Sequence, residues 1–187
     1  MNRAIVRSAL VGAALALTLP ACSPVPDDDE AAAAVETNDT VAEALAAEED
    51  FSVIAGVLKE TGVAGVFDGP GSYTVLAPTD DAMGGVLDAE NDASEEERQV
   101  VLIALLRKHI LPGQITTDAI RQAIAEGEGT VEMRTLSDGL VTFALDGETI
   151  TVTGEDGQPA SLGQNVIQAG NGSIIPLTKP IASLPDA

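Results

Sequence analysis

The chain has 187 residues, enough for one domain and a short tail, and carries 9 Lys and Arg against 30 Asp and Glu, a formal net charge of -21. A surface this acidic repels phosphate backbones and anionic headgroups, which excludes nucleic acid as a partner and membrane attachment through the protein surface itself. Hydrophobic residues make up 45% but aromatics only 2%, with no Trp, so the core has to be built from Val, Ile, Leu and Ala.

Arg3 and Arg7 form a basic start, and Ala9 to Leu19 is a run of apolar and small residues closed by Leu19-Pro20-Ala21-Cys22. These are the regions of a secretory signal peptide, expected over residues 1–21. The run is about half the roughly 20 residues that a membrane span needs. A cysteine directly after the small residue resembles the lipobox of bacterial lipoproteins, with Pro20 as a departure. That resemblance implies that Cys22 becomes the lipidated first residue of the mature chain. Because Cys22 is the only cysteine, a disulfide within the domain, a thiolate metal site and a cysteine nucleophile are all excluded. Residues 22–38 read as an acidic, flexible tether: Pro24, Pro26, the run Asp27 to Glu30 and then alanines offer too little apolar surface to offset the entropy of ordering. The acidic run is a solvated linker on this reading, not a calcium site.

The domain is expected over residues 39–187. Thr40 caps a helix running to Ala47. A second helix places Phe51, Ile54, Val57 and Leu58 on one face and ends at Gly62. Val63 to Phe67 is a short helical turn before the breakers Asp68-Gly69-Pro70-Gly71. Tyr73 to Ala77 is a buried strand that Pro78 stops. Thr79 then opens a helix with Ala82, Met83, Val86 and Leu87, and Asp80 and Asp81 favour its positive dipole end. A longer helix opens at Ala93 to Glu97, with an apolar face of Val100, Val101, Ala104 and Leu105, and stops at His109-Ile110-Leu111-Pro112-Gly113. Thr117 and Asp118 start a short helix with Ile120 and Ile124 facing inward.

From Gly129 the period changes to two. Thr130 to Leu136, Leu140 to Leu145 and Thr149 to Val152 alternate apolar and polar residues, with turns at Ser137-Asp138-Gly139 and Asp146-Gly147. Gly154-Glu155-Asp156-Gly157 reads as a hairpin loop, since the twelve-residue calcium pattern is absent. Gln164 to Gln168 and Ser173 to Ile175 are further strands, separated by an Asn171-Gly172 turn chosen for positive backbone angles. Helices first and strands later indicate an α+β fold.

His109 is the only histidine. It is either a partner contact with pH sensitivity or a group hydrogen-bonded inside the fold, tying a helix end to a loop. One histidine without cysteine makes no zinc site unless carboxylates complete it. Ser72, Ser161 and His109 have the residue types of a hydrolase triad, but no Gly-x-Ser-x-Gly elbow surrounds either serine. No catalytic residue, metal or cofactor is expected.

Read together, Tyr73-Thr74-Val75-Leu76-Ala77-Pro78-Thr79-Asp80-Asp81-Ala82-Met83, Lys108-His109-Ile110-Leu111-Pro112-Gly113 and Asn171-Gly172-Ser173-Ile174 resemble, in order and spacing, the boxes of a single fasciclin domain spanning Thr40 to Pro185. Phe51, Ile54, Leu58 and Gly62 fit its leading helix. The resemblance implies an α+β β-wedge or sandwich of about seven strands flanked by several helices. It also makes His109, Pro112, Thr79, Asp80, Asn171 and Gly172 the candidate interaction or structural positions. Two departures stand out: Pro176 interrupts the strand after the Asn-Gly turn, and Thr178 stands where Asp is expected, so the integrin-linked Asp-Ile pair of some animal members does not carry over. The implied role is a non-catalytic, lipid-anchored cell-envelope module for adhesion or matrix contact, its partner an unidentified protein or polysaccharide. The alternative is a periplasm-facing lipoprotein that assists an envelope complex.

Overall fold

The computed structural model describes residues 34–89 and 94–182, the side chains of 85–89 and 95 excepted. The expected signal segment, Cys22, the tether as far as residue 33 and the side chains of Val86 and Leu87 lie outside the described residues. In chain order the elements begin with β1 (Val35–Glu36), α1 (Val41–Ala47), α2 (Ser52–Thr61), β2 (Tyr73–Pro78), α3 (Asp80–Ala89), α4 (Glu95–Lys108) and β3 (Ile110–Pro112). They continue with α5 (Thr117–Glu126), β4 (Thr130–Arg134), β5 (Leu140–Asp146), β6 (Thr149–Thr153), β7 (Pro159–Ser161), β8 (Ile167–Ala169) and β9 (Gly172–Leu177).

Local chemistry sets most helix ends. Thr40 and Glu43 form a reciprocal capping box at the start of α1, and Ser94 with Glu97 repeats it at α4. Gly62, at φ +69°, ends α2 in the left-handed conformation that favours glycine. Thr116, one residue before the predicted start, caps α5 through the Ala119 amide. Phe51, Ile54, Val57 and Leu58 are all buried as their spacing predicts, and burying each such side chain is worth about 1.5–3 kcal/mol. On α4 the predicted face is right only at Leu105 and otherwise misplaced. Leu102, Leu105 and Leu106 are buried, at a helical spacing that leads to His109, whereas Val100 is 68% exposed.

Among the described residues nine strands form two sheets where about seven strands were expected; β1, β3 and β7 are short ones that sequence period does not show. The first sheet has the order β1-β8-β9-β2-β3, with β2 and β9 parallel at its centre and β3 antiparallel to β2. The second is an antiparallel meander, β4-β5-β6-β7. The fold also starts before the predicted boundary at Asp39. Val35 N–H donates to Val166 O at 3.0 Å and Thr37 N–H to Gln168 O at 2.8 Å, so the end of the expected tether is part of the sheet.

β2 is buried on both faces, which is why it reads as a continuous apolar run. Val75 and Ala77 join Ile174, Ile167 and the apolar faces of α1, α2 and α4 in one core. Leu76, with Leu111 and Ile175, joins Val141, Phe143 and Val152 of the second sheet and Ile120 and Ile124 of α5 in the other. Pro176 does not interrupt β9, which pairs with β2 as far as Leu177. Its carbonyl accepts from Gly163 N–H at 2.8 Å, so that edge of the residue faces away from β2 and the missing N–H removes no bond from the central ladder.

Candidate functional site

The six candidate positions fall into two groups at opposite ends of the central strands. Tyr73 pairs with Pro112 on one side and with Gly172 on the other, so Pro112, Asn171 and Gly172 sit at the start of β2. His109, Thr79 and Asp80 sit at its far end, where Val75 pairs with Ile110 and Pro78 with Leu177. No single site contains all six.

His109 is delivered by the buried stripe of α4 and is itself buried. Its Nδ1–H donates to Leu105 O at 2.8 Å, which leaves Nε2 as the acceptor for Ile181 N–H at 3.0 Å. The ring therefore ties the end of α4 to the segment at Ile181. Burial pushes its pKa down from 6.5 to about 4, the Lys108 charge adds to the effect, and the Leu105 carbonyl opposes it. The imidazole is neutral at pH 7, and a second ring proton would meet the Ile181 N–H head-on. Both ring nitrogens are occupied by main-chain groups, so His109 has none to offer Ser72 or Ser161, and a hydrolase triad has no geometric basis here.

Asp80 acts on a different helix from the one it opens. Its carboxylate accepts from Ser52 N–H at 3.1 Å, Ser52 Oγ at 2.5 Å and Val53 N–H at 2.9 Å, and so caps the start of α2 from across the fold. Thr79 bridges the sheet and α3: its N–H donates to Leu177 O at 3.2 Å and its carbonyl accepts from Met83 N–H at 3.0 Å.

At the other end, Asn171 is a connector. Its Oδ1 accepts from Val41 N–H at 2.8 Å and its Nδ2 donates to Phe67 O at 2.6 Å, joining α1 and the turn before β2 to the sheet. The expected reason for Asn171-Gly172 was wrong, because neither residue has a positive φ. Gly172 is required by close approach instead: a Cβ there would stand 2.1 Å from Tyr73 O. Gly113 is the glycine that needs its freedom, at φ +94°; its N–H donates to Ser72 O and its carbonyl accepts from Thr74 Oγ1, both at 2.8 Å. Pro112 is exposed beside it.

Sequence reading missed Gly154 and Ile181. Gly154 reads as part of a hairpin loop, yet a Cβ on it would lie 1.9 Å from Ile181 O, so the loop backs directly onto the segment that His109 holds. Main-chain contacts of this kind carry no residue-type signal. Next to them lies a shallow, open hollow of only about 10 Å³ lined by Lys108, Thr135, Ser137, Gly139 and Glu155, far below the roughly 300–1,000 Å³ of a small-molecule site. Lys108 and Glu155 approach to 3.7 Å across it, an exposed pair worth little energetically. Among the described residues, no group of three or more His, Cys, Asp or Glu side chains is placed to hold a metal ion, and no helix is long and apolar enough to cross a membrane.

Residues 49–182 match the family model of the fasciclin domain, well over half of the chain. Protein sll1483 of Synechocystis sp. is 26% identical over 148 residues, which span 76% of this chain and 78% of that protein. Among solved structures, a fasciclin domain pair from the insect cell adhesion molecule Fasciclin I aligns with a TM-score of 0.55 at 21% identity. The alignment covers 71% of this chain and 45% of that one, so the chain spans about half the length of the pair. The likeness is one of fold, and fasciclin domains are generally non-catalytic, adhesion-type modules. The chain belongs to the fasciclin domain family.

Proposed function

We propose that the chain is a non-catalytic binding module held at a membrane by lipid on Cys22 and presented outward to contact another protein. The fasciclin fold supports the binding role. The Arg3, Arg7, apolar run and Ala21-Cys22 sequence supports the anchor. The observation that carries the choice of partner is where the aromatic rings are. All four in the sequence are accounted for: Phe51, Phe67 and Phe143 are buried, and Tyr73 is half-buried with its ring edge-on to Phe67 at 5.4 Å. No exposed ring is left to stack on a sugar, whereas Val66, Val100, Leu140 and Leu145 stay exposed as aliphatic groups that a protein surface covers better than a polar glycan does. Weak individual contacts suffice where many copies share one membrane.

Protease treatment of intact cells, with lysed cells as control, tests the orientation. Cleavage on intact cells is expected. Protection until lysis would reject the outward reading in favour of an envelope-facing role. Cys22→Ser tests the anchor separately: the variant is expected to leave the membrane fraction while still folded, and persistent membrane association would sink the lipid claim.

A further inference from the structure

Asn171-Gly172 is the one Asn-Gly pair in the sequence. Glycine has no side chain to shield its own amide, so in a free chain the Gly172 nitrogen reaches the Asn171 carboxamide carbon. The fold withholds both partners of that reaction. The carboxamide is held at its two ends, Oδ1 by Val41 N–H at 2.8 Å and Nδ2 by Phe67 O at 2.6 Å. The Asn171 carbonyl accepts from Tyr73 N–H at 3.1 Å. Gly172 is buried between two strands, paired with Tyr73 on one side and with Ala169 on the other. Bringing its nitrogen onto the carboxamide carbon needs a rotation that breaks these bonds and lifts the head of β9 out of the sheet.

We propose that Asn171 is a hydrolytic modification site, sealed while the domain is folded and open whenever the head of β9 leaves the sheet. In the reaction the Gly172 nitrogen attacks Asn171 Cγ and a C–N bond forms. The Cγ–Nδ2 bond breaks, and ammonia leaves with the Gly172 amide proton. Water then opens the cyclic imide at either carbonyl, giving an aspartate or an isoaspartate at position 171. The two products differ in how they return to the fold. An aspartate keeps an acceptor for Val41 N–H but sets a second acceptor against Phe67 O where Nδ2 donates, in a half-buried place, so the domain closes weakened. An isoaspartate adds a carbon to the main chain immediately before Gly172, where a Cβ alone would stand 2.1 Å from Tyr73 O. That extra length falls on the pairing of β9 with β2, and the chain does not close again. The rate of loss therefore follows the open fraction of the protein. The inference rests on the bonds of Asn171 and holds whether or not the protein-binding role proposed above is right.

The test incubates the full-length protein at mildly alkaline pH, with and without enough urea to unfold it. The peptide containing position 171 is then analysed by mass spectrometry for asparagine, aspartate and isoaspartate. Conversion is expected to run about a hundredfold or more faster in urea. In a second measurement, protein aged in urea is brought to its unfolding midpoint and treated briefly with protease, which cleaves open chains and spares folded ones. Isoaspartate is expected among the cleaved chains and not among the survivors. Equal conversion with and without urea would show that the fold does not seal the site. Isoaspartate as abundant in the surviving chains as in the cleaved ones would overturn the one-way step.

Discussion

The His109 ring makes a prediction whose size can be worked out. In the fold its pKa is about 4; once unfolded it returns towards 6.5. Between these values the unfolded chain binds more protons than the folded one, so stability falls as pH drops. Above about pH 6.5 this contribution is complete, and it declines as pH falls towards about 4. The full span is worth on the order of 3 kcal/mol, most of which is gone by about pH 4.5. His109→Gln removes the titration while keeping an acceptor within reach of Ile181 N–H. Urea unfolding of both proteins, followed by circular dichroism because the chain has no Trp, gives the comparison directly. The carboxylates titrate in both proteins and cancel. Wild type should lose about 2–3 kcal/mol more than His109→Gln between about pH 7.5 and about pH 4.5. If the two stability curves run parallel across that window, the ring is not held neutral by the fold and the reasoning fails.

Asn171→Ala should cost about 1–3 kcal/mol in urea unfolding at neutral pH, because the Val41 amide and the Phe67 carbonyl both lose their side-chain partner. Gly172→Ala should abolish soluble folded protein, since the added methyl overlaps Tyr73 O in the central strand pair; Gly84→Ala, inside α3 with nothing within 4 Å, should be neutral or stabilise by up to about 1 kcal/mol in the same expression and melting assays. Asp80→Ala should cost about 0.5–2 kcal/mol, and hydrogen exchange should show the loss at the Ser52 and Val53 amides of α2, not at α3.

The legible parts of the fold were those where one physical signal acts alone. Gly62 ends α2, Thr40 caps α1, and the alternation in β4 to β6 marks a sheet with one face buried. The α4 face was illegible because Val100 to Leu106 are all apolar, and an unbroken run marks no side. β1 and β3, at two and three residues, are shorter than any period can reveal, and Pro112-Gly113 read only as a terminator. The motif positions were found, but their reasons were not. Asp80 caps a helix 28 residues earlier in the chain, and Asn171 reaches Val41, 130 residues away; such partners exist only once the chain has folded.

The parallel pairing of β2 with β9 has a consequence for how the molecule forms. Residues 73–78 must find residues 172–177, so the innermost ladder is closed across most of the length of the domain. Loops that long are entropically costly to close, and folds dominated by them form slowly compared with helical ones. The helices can form early from local contacts, but they have no finished sheet to rest on until Leu177 has arrived. A growing chain therefore holds β2, destined for burial on both faces, without its main partner until residues 172–177 have been made, and in that interval it is most exposed to aggregation.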